Sequence, residues 1–108
     1  MYCNFVFEMN VGVDIETISR FGSNSEALFT PAELAHAGAL SRSLAGIWCG
    51  KEAVVKAMYP WKVLTPREVE ITWIDGRPRC SIQGFQIALS ISHDQISAIA
   101  FAIVVPVG

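Results

Sequence analysis

Apolar and polar residues alternate near both ends of the chain and take helical spacing in the middle, a pattern that predicts an α+β domain. Phe5, Phe7, Met9, Val11 and Val13 alternate with Val6, Glu8, Asn10 and Gly12, which predicts a half-buried first strand. Asp14 falls on the polar register of that strand. Glu16 shares its face if the chain stays extended, because side chains two apart point the same way. Short helical turns are expected at 18–21 and 26–29, separated by Gly22-Ser23-Asn24-Ser25. Thr30-Pro31-Ala32-Glu33 reads as a helix start, with Thr30 the cap, Pro31 the first helical residue and Glu33 completing a capping box. Gly38 ends that helix. Ser41 or Ser43 is expected to cap the main helix, which runs to about Tyr59 and stops at Pro60. Leu44, Ile47, Trp48, Val55 and Met58 form its apolar stripe. Beyond it, Val69, Ile71 and Trp73 alternate into a strand, Asp75-Gly76 signals a hairpin, and residues 79–82 pair back. Gln83-Gly84 turns the chain again into a strand carrying Ile87, Leu89 and Ile91. A last turn at 93–96 leads to Ile99, Phe101, Ile103 and Val105. The expected order is strand, helices, then a meander, with an antiparallel sheet packed on the long helix. No repeat, low-complexity segment or linker divides residues 1–108, so one domain is expected.

Composition sharpens this picture. The chain has 108 residues, of which 52% are hydrophobic and only 17% charged, more apolar surface than so small a core absorbs. No run of 18 apolar residues offers it to a membrane, so burial against another subunit is expected. Net charge is −2 and no basic stripe is visible, which argues against nucleic acid as a partner. Cys3, Cys49 and Cys80 are odd in number and lack CxxC spacing; they read as small hydrophobes in a reducing compartment. Met1-Tyr2-Cys3-Asn4-Phe5 lacks the basic start of a signal peptide, so a cytoplasmic location is expected.

Candidate chemistry sits in three places. Asp14 and Glu16 end the first strand, Lys51, Glu52 and Lys56 lie on the main helix, and Ser92-His93 closes the third strand of the meander. Each has an ordinary reading. Glu52 and Lys56 are spaced as a surface ion pair, Asp14 and Glu16 as acids ahead of a helix, and His93 as a turn residue. Together they suggest more. Mg²⁺ takes oxygen ligands, commonly one or two carboxylates with substrate phosphates and water, and Asp14 and Glu52 supply such carboxylates. The lysines suit the neutralisation of pyrophosphate oxygens. There is no glycine-rich phosphate loop. His36, before Gly38, is expected on the surface.

In this order the segments Val11-Gly12-Val13-Asp14-Ile15-Glu16, Leu28-Phe29-Thr30-Pro31-Ala32-Glu33-Leu34, Trp48-Cys49-Gly50-Lys51-Glu52-Ala53-Val54-Val55-Lys56-Ala57, Gly76-Arg77-Pro78 and Ser90-Ile91-Ser92-His93 are similar to 4′-phosphopantetheinyl transferases of the holo-acyl-carrier-protein synthase type. The resemblance covers nearly the whole chain. It implies transfer of 4′-phosphopantetheine from coenzyme A to a serine of an apo carrier protein, with Mg²⁺ and release of adenosine 3′,5′-bisphosphate. It implies Asp14 and Glu52 as metal ligands, Glu52 or a water it orients as the group deprotonating the serine, and Lys51 and Lys56 on the coenzyme phosphates. Ser92 and His93 match the grip on the adenosine 3′-phosphate end, and Arg20 a contact with the acidic carrier. It further implies a homotrimer of single half-units with active sites between subunits.

Four features depart from the family pattern. The acids are spaced Asp-x-Glu, which makes Glu16 a candidate third carboxylate at the metal. Ile47 stands where many trimeric members have an arginine. Met58-Tyr59-Pro60-Trp61 replaces a glycine-rich turn, and only Gln83-Gly84-Phe85-Gln86 spans the place of a family helix. These departures keep open an alternative: a degenerate transferase fold that binds coenzyme A or a carrier protein, or a structural subunit, without turnover.

Overall fold

A computed structural model describes residues 8–107; Cys3, Phe5 and Phe7 lie outside the described residues. The elements, in chain order, are β1 (Asn10–Thr17), two 3-10 turns (Ile18–Arg20 and Ser23–Leu28), α1 (Pro31–Ala37), α2 (Ser41–Met58), a 3-10 turn (Pro66–Glu68), β2 (Thr72–Ile74), β3 (Arg77–Arg79), β4 (Phe85–His93) and β5 (Ser97–Pro106). Three strands form one antiparallel sheet in the order β1-β5-β4, and α2 lies across its face. The expected meander is therefore divided. β2 and β3 make a separate two-stranded hairpin, and only β4 and β5 join the main sheet.

Local signals are realised where expected. Thr30 accepts from the Glu33 amide while Glu33 accepts from the Thr30 amide, and Pro31 opens α1. Gly38 ends α1 in the left-handed region, at φ 61°. Asp75 and Gly76 take φ of 52° and 76°, the pair of positive angles a two-residue hairpin turn of this type needs. The cap of α2 differs. Leu40 occupies the cap position, and Ser41 is the first helical residue, its hydroxyl donating instead to the Phe21 carbonyl at 2.7 Å.

The sheet's polarity is the larger correction. The apolar register of β1 faces away from the helix: Val13 is 50% and Ile15 64% exposed. Gly12, Asp14 and Glu16 form the register beneath α2. β5 repeats this, with Ala98, Ala100, Ala102 and Val104 buried while Ile99 and Phe101 remain 42% and 43% exposed. The pairings Val13↔Phe101 and Ile15↔Ile99 join these outward side chains into one apolar face. The reason is steric. Small residues let α2 lie close to the sheet, and a Cβ on Gly12 would collide with the Ala53 carbonyl oxygen and stand 2.6 Å from the Ala57 nitrogen. Asn10 reinforces the contact by donating to the Ala57 carbonyl at 2.9 Å.

Gly12→Ala is therefore expected to force α2 off β1 and lower the melting temperature by on the order of 10 °C, read by calorimetry. An unchanged melting temperature would show that the close approach carries no constraint.

Candidate functional site: an acidic cluster under the long helix

β1 delivers Asp14 and Glu16 to the helix face of the sheet, and α2 delivers Glu52 and Lys56 onto the same spot. The Lys56 ammonium donates to Asp14 Oδ1 at 2.9 Å and to the Val13 carbonyl at 3.0 Å. Its side chain is 54% exposed, so it remains accessible, while Asp14 is 12% exposed. The Asp14 hydrogen bond raises the Lys56 pKa, against burial, which lowers it. The pKa of Glu52 is raised by burial first and then by Asp14, with Lys56 opposing. That of Glu16 is raised by burial and by Asp14, with Arg20 opposing. Three carboxylates thus share one poorly hydrated place with a single ammonium, Lys56, bonded into it.

Asp14 Oδ2 is buried and has no hydrogen-bond partner. A buried carboxylate oxygen without a donor is costly unless a cation completes it. The donor set is all oxygen, which suits a hard divalent cation such as Mg²⁺. Among the described residues, however, no trio of His, Cys, Asp or Glu is arranged to enclose a metal. Two carboxylates completed by substrate oxygens and water would suit such a cation, and Asp14 and Glu52 lie close enough for each charge to act on the other. The carboxylate of Glu16 lies beside Asp14 and accepts from Arg20 at 3.0 Å. Arg20 itself is 70% exposed on the 3-10 turn after β1.

Other candidate residues lie away from this cluster. Lys51 is not at the cluster. It is fully buried, its ammonium 2.7 Å from Glu33 Oε1 and 5.9 Å from the centroid of the Phe29 ring. Such a lysine has no surface to present to a coenzyme phosphate, although its neighbour Glu52 does. The role of Glu33 beyond the capping box was missed: Oε1 takes Lys51 and the Thr30 amide, while Oε2 accepts from the Ile71 amide at 2.8 Å. Ser92 and His93 take opposite registers of β4, yet both border a hollow of about 260 Å³ with Ile15, Asp94 and Ile99. Ser92 pairs with Ile99 on the outward apolar face, and His93 pairs with Ala98 on the helix side.

His93 borders a second hollow of about 610 Å³ with Ile18, Leu40, Ser41 and Arg42. It also borders one of about 360 Å³, where His36 stacks on Trp73 with ring centroids 3.5 Å apart. Neither Arg42 nor the His36–Trp73 pair was singled out from sequence. Their meeting requires α1, α2, β2 and β4 to converge, which no local pattern encodes. Ile47 is buried beneath the hollow beside that stack. The described cysteines are buried and unpaired: Cys49 donates to the Ala98 carbonyl, and burial pushes its pKa up to about 12 and that of Cys80 to about 11.

Residues 10–104 match the model of the 4′-phosphopantetheinyl transferase superfamily. The chain is 33% identical to the holo-[acyl-carrier-protein] synthase of Thermodesulfovibrio yellowstonii, over 87% of this chain and 96% of that protein. It is 35% identical to the synthase of the same name from Chlorobaculum tepidum, over 91% and 99%. Among solved structures, the fold is shared with the ACPS–CoA complex of Chronobacterium ammoniagenes, at TM-score 0.77 and 30% identity over 93% of this chain and 98% of that one. Acyl carrier protein synthase of Mycobacterium tuberculosis matches at TM-score 0.75 and 32% identity, over 91% and 97%.

The Glu33–Lys51 pair yields a direct test. Lys51→Met strands a buried carboxylate and is expected to lower the melting temperature by on the order of 15 °C. Adding Glu33→Gln removes that charge and is expected to recover part of the loss in the double variant. Additive losses in a thermal double-mutant cycle would show that the two groups do not act as a pair.

Proposed function

This chain belongs to the 4′-phosphopantetheinyl transferase superfamily, as an enzyme of the holo-[acyl-carrier-protein] synthase type, and we propose that it moves 4′-phosphopantetheine from coenzyme A to a serine of an apo carrier protein. The observation that carries the reading is the convergence of Asp14, Glu52 and Lys56, with Asp14 Oδ2 left unpartnered. The serine oxygen forms a bond to the phosphorus that bears the pantetheine arm. The bond from that phosphorus to the bridging oxygen breaks, and adenosine 3′,5′-bisphosphate leaves with the electron pair. Glu52, whose proton affinity is raised by burial and by Asp14, takes the serine proton directly or through a water it orients. Lys56, already bonded at Asp14, neutralises charge on the departing phosphate. Mg²⁺ held by Asp14 and Glu52 supplies charge neutralisation on the pyrophosphate oxygens when bound.

The outward apolar face supports assembly of one-domain chains into a homotrimer with active sites between subunits. Val13, Ile15, Ile99 and Phe101 are too contiguous an exposed patch for a monomer's solvated sheet. In that arrangement Ser92, on the outward face, serves the coenzyme of a neighbouring copy, and Arg20, exposed beside the cluster, meets the acidic carrier. No described helix is long and apolar enough to cross a membrane, and a cytoplasmic setting fits a reaction between coenzyme A and a carrier protein.

The experiment is incubation with coenzyme A, Mg²⁺ and an apo acyl carrier protein, read by intact mass. A phosphopantetheine increment on the carrier is expected, lost by at least a hundredfold in rate for Glu52→Gln with the fold unchanged. In the same assay Arg20→Glu is expected to raise the KM for the carrier several-fold at low salt. A carrier whose mass never changes points to a fold that binds without turnover; Glu52→Gln turning over like wild type removes Glu52 from the site. For assembly, Ile15→Glu is expected to reduce the oligomer to monomers in analytical ultracentrifugation. An intact trimer in that variant places the interface elsewhere.

A further inference from the structure

Arg20 belongs at once to the surface and to the acidic cluster. It ends the 3-10 turn after β1, and its guanidinium donates to Glu16 Oε1 at 3.0 Å. The two partners differ in setting: the Arg20 side chain is 70% exposed and that of Glu16 13%. Among the described residues Arg20 makes no other ion pair, so a group with five donors is held by a single bond to a carboxylate. The turn beneath it is fixed. The Ile18 amide donates to the Ile96 carbonyl at 2.8 Å, and the Phe21 amide to the Ile18 carbonyl at 3.0 Å. A change of partner at Arg20 therefore needs only a side-chain rotation.

The other end of the pair reaches the cluster. The Glu16 carboxylate lies beside Asp14, and the charges of Asp14 and Glu52 act on each other. Three carboxylates, Asp14, Glu16 and Glu52, thus stand against two cations, Lys56 and Arg20. The balance over these five groups is one net negative charge with Arg20 engaged and two without it. Water screens that difference incompletely where the carboxylates are largely covered. A divalent cation at Asp14 is attracted more strongly once Arg20 has turned to another acid.

We infer that Arg20 couples carrier docking to cation binding: an acidic carrier draws the guanidinium off Glu16, and the uncompensated carboxylate raises the affinity of the cluster for its divalent cation. The inference rests on the carrier reading above and adds a regulation of that same site. A carboxylate that engages the planar fork at two points outcompetes the single bond to Glu16. By linkage the bound cation tightens the carrier by the same factor. An exposed ion pair is worth little, so the coupling is modest, about twofold to fivefold in Kd.

The test uses Mn²⁺ in place of Mg²⁺, with free Mn²⁺ counted by electron paramagnetic resonance. The full chain is titrated with coenzyme A present, with and without a saturating apo carrier whose acceptor serine is replaced by alanine, so that no transfer occurs. In wild type the Mn²⁺ Kd is expected to fall about twofold to fivefold when the carrier is bound. Arg20→Ala is expected to show the tighter Kd without carrier and to gain nothing from it. Glu16→Gln is expected to dock the carrier with no change in Mn²⁺ Kd. Carrier binding that leaves the wild-type Kd unchanged overturns the inference alone. So does an undiminished gain in Glu16→Gln, which assigns the effect to the carrier's own charge. A carrier that does not bind wild type defeats the carrier reading and the inference with it, and Mn²⁺ bound in no sample defeats the metal assignment and the inference together.

Discussion

The carboxylate of Glu33 ties together three separate parts of the chain. It caps α1 through the Thr30 amide, receives the Lys51 ammonium from α2, and accepts the Ile71 amide just ahead of the hairpin. Glu33 and Lys51 are both 0% exposed, so neither charge has water as an alternative partner. Removing a partner from such a pair is costly even where the intact pair adds little net stability, which makes it a device for specifying an arrangement more than for strengthening it. Functional geometry follows from that arrangement. α2 places Glu52 beside Lys51 and Lys56 one turn further, α1 places His36, and the hairpin places Trp73 against it.

The second constraint is the thinness of the sheet's inner face. Gly12, Ala98, Ala100 and Ala102 admit α2 closely enough for Lys56 to reach both Asp14 and the Val13 carbonyl. The acids occupy the inner register because the bulky residues of β1 and β5 are directed outward. The acidic cluster and the exposed apolar face are thus two consequences of one strand orientation: carboxylates inward beneath the helix, branched and aromatic side chains outward. The same alternation pairs Ser92 with Ile99 and His93 with Ala98, so the two neighbours take opposite registers of one strand end.

What was legible in the sequence was local. Thr30, Glu33 and Gly38 mark α1 because a cap involves residues within one turn, and Asp75-Gly76 marks its hairpin because backbone angles of that kind favour those residues. Alternation in β1 and β5 identified strands correctly, but a period of two says only that faces differ, not which one is covered. Val13, Ile15, Ile99 and Phe101 face outward, because the inner face is covered through helix–sheet proximity permitted by glycine and alanine. Lys51 looked like its neighbour Lys56 because both are lysines on one helix. Only the partner eighteen positions earlier in the chain separates the core ion from the site ion. Asp14, Glu52 and Lys56 were legible as a set because the resemblance supplied their order. Arg42 was not, since its surroundings are assembled from four elements.

Cys49 lies three residues before Glu52 on α2, yet its thiol is buried against the Ala98 carbonyl with a pKa pushed to about 12, by burial first and then by Asp14 and Glu16. Burial and the raised pKa together make the thiolate that attacks a disulfide or an alkylating reagent scarce at neutral pH. Cys80, at about 11, is nearly as inert. Coenzyme A and a loaded carrier both end in a free thiol. A protein that handles such arms therefore keeps these two sulfurs out of exchange with its own cargo, and mixed disulfides that would trap it are disfavoured at both positions. The same silence makes a thiol-directed dye selective for the arm on the carrier over either of these two cysteines.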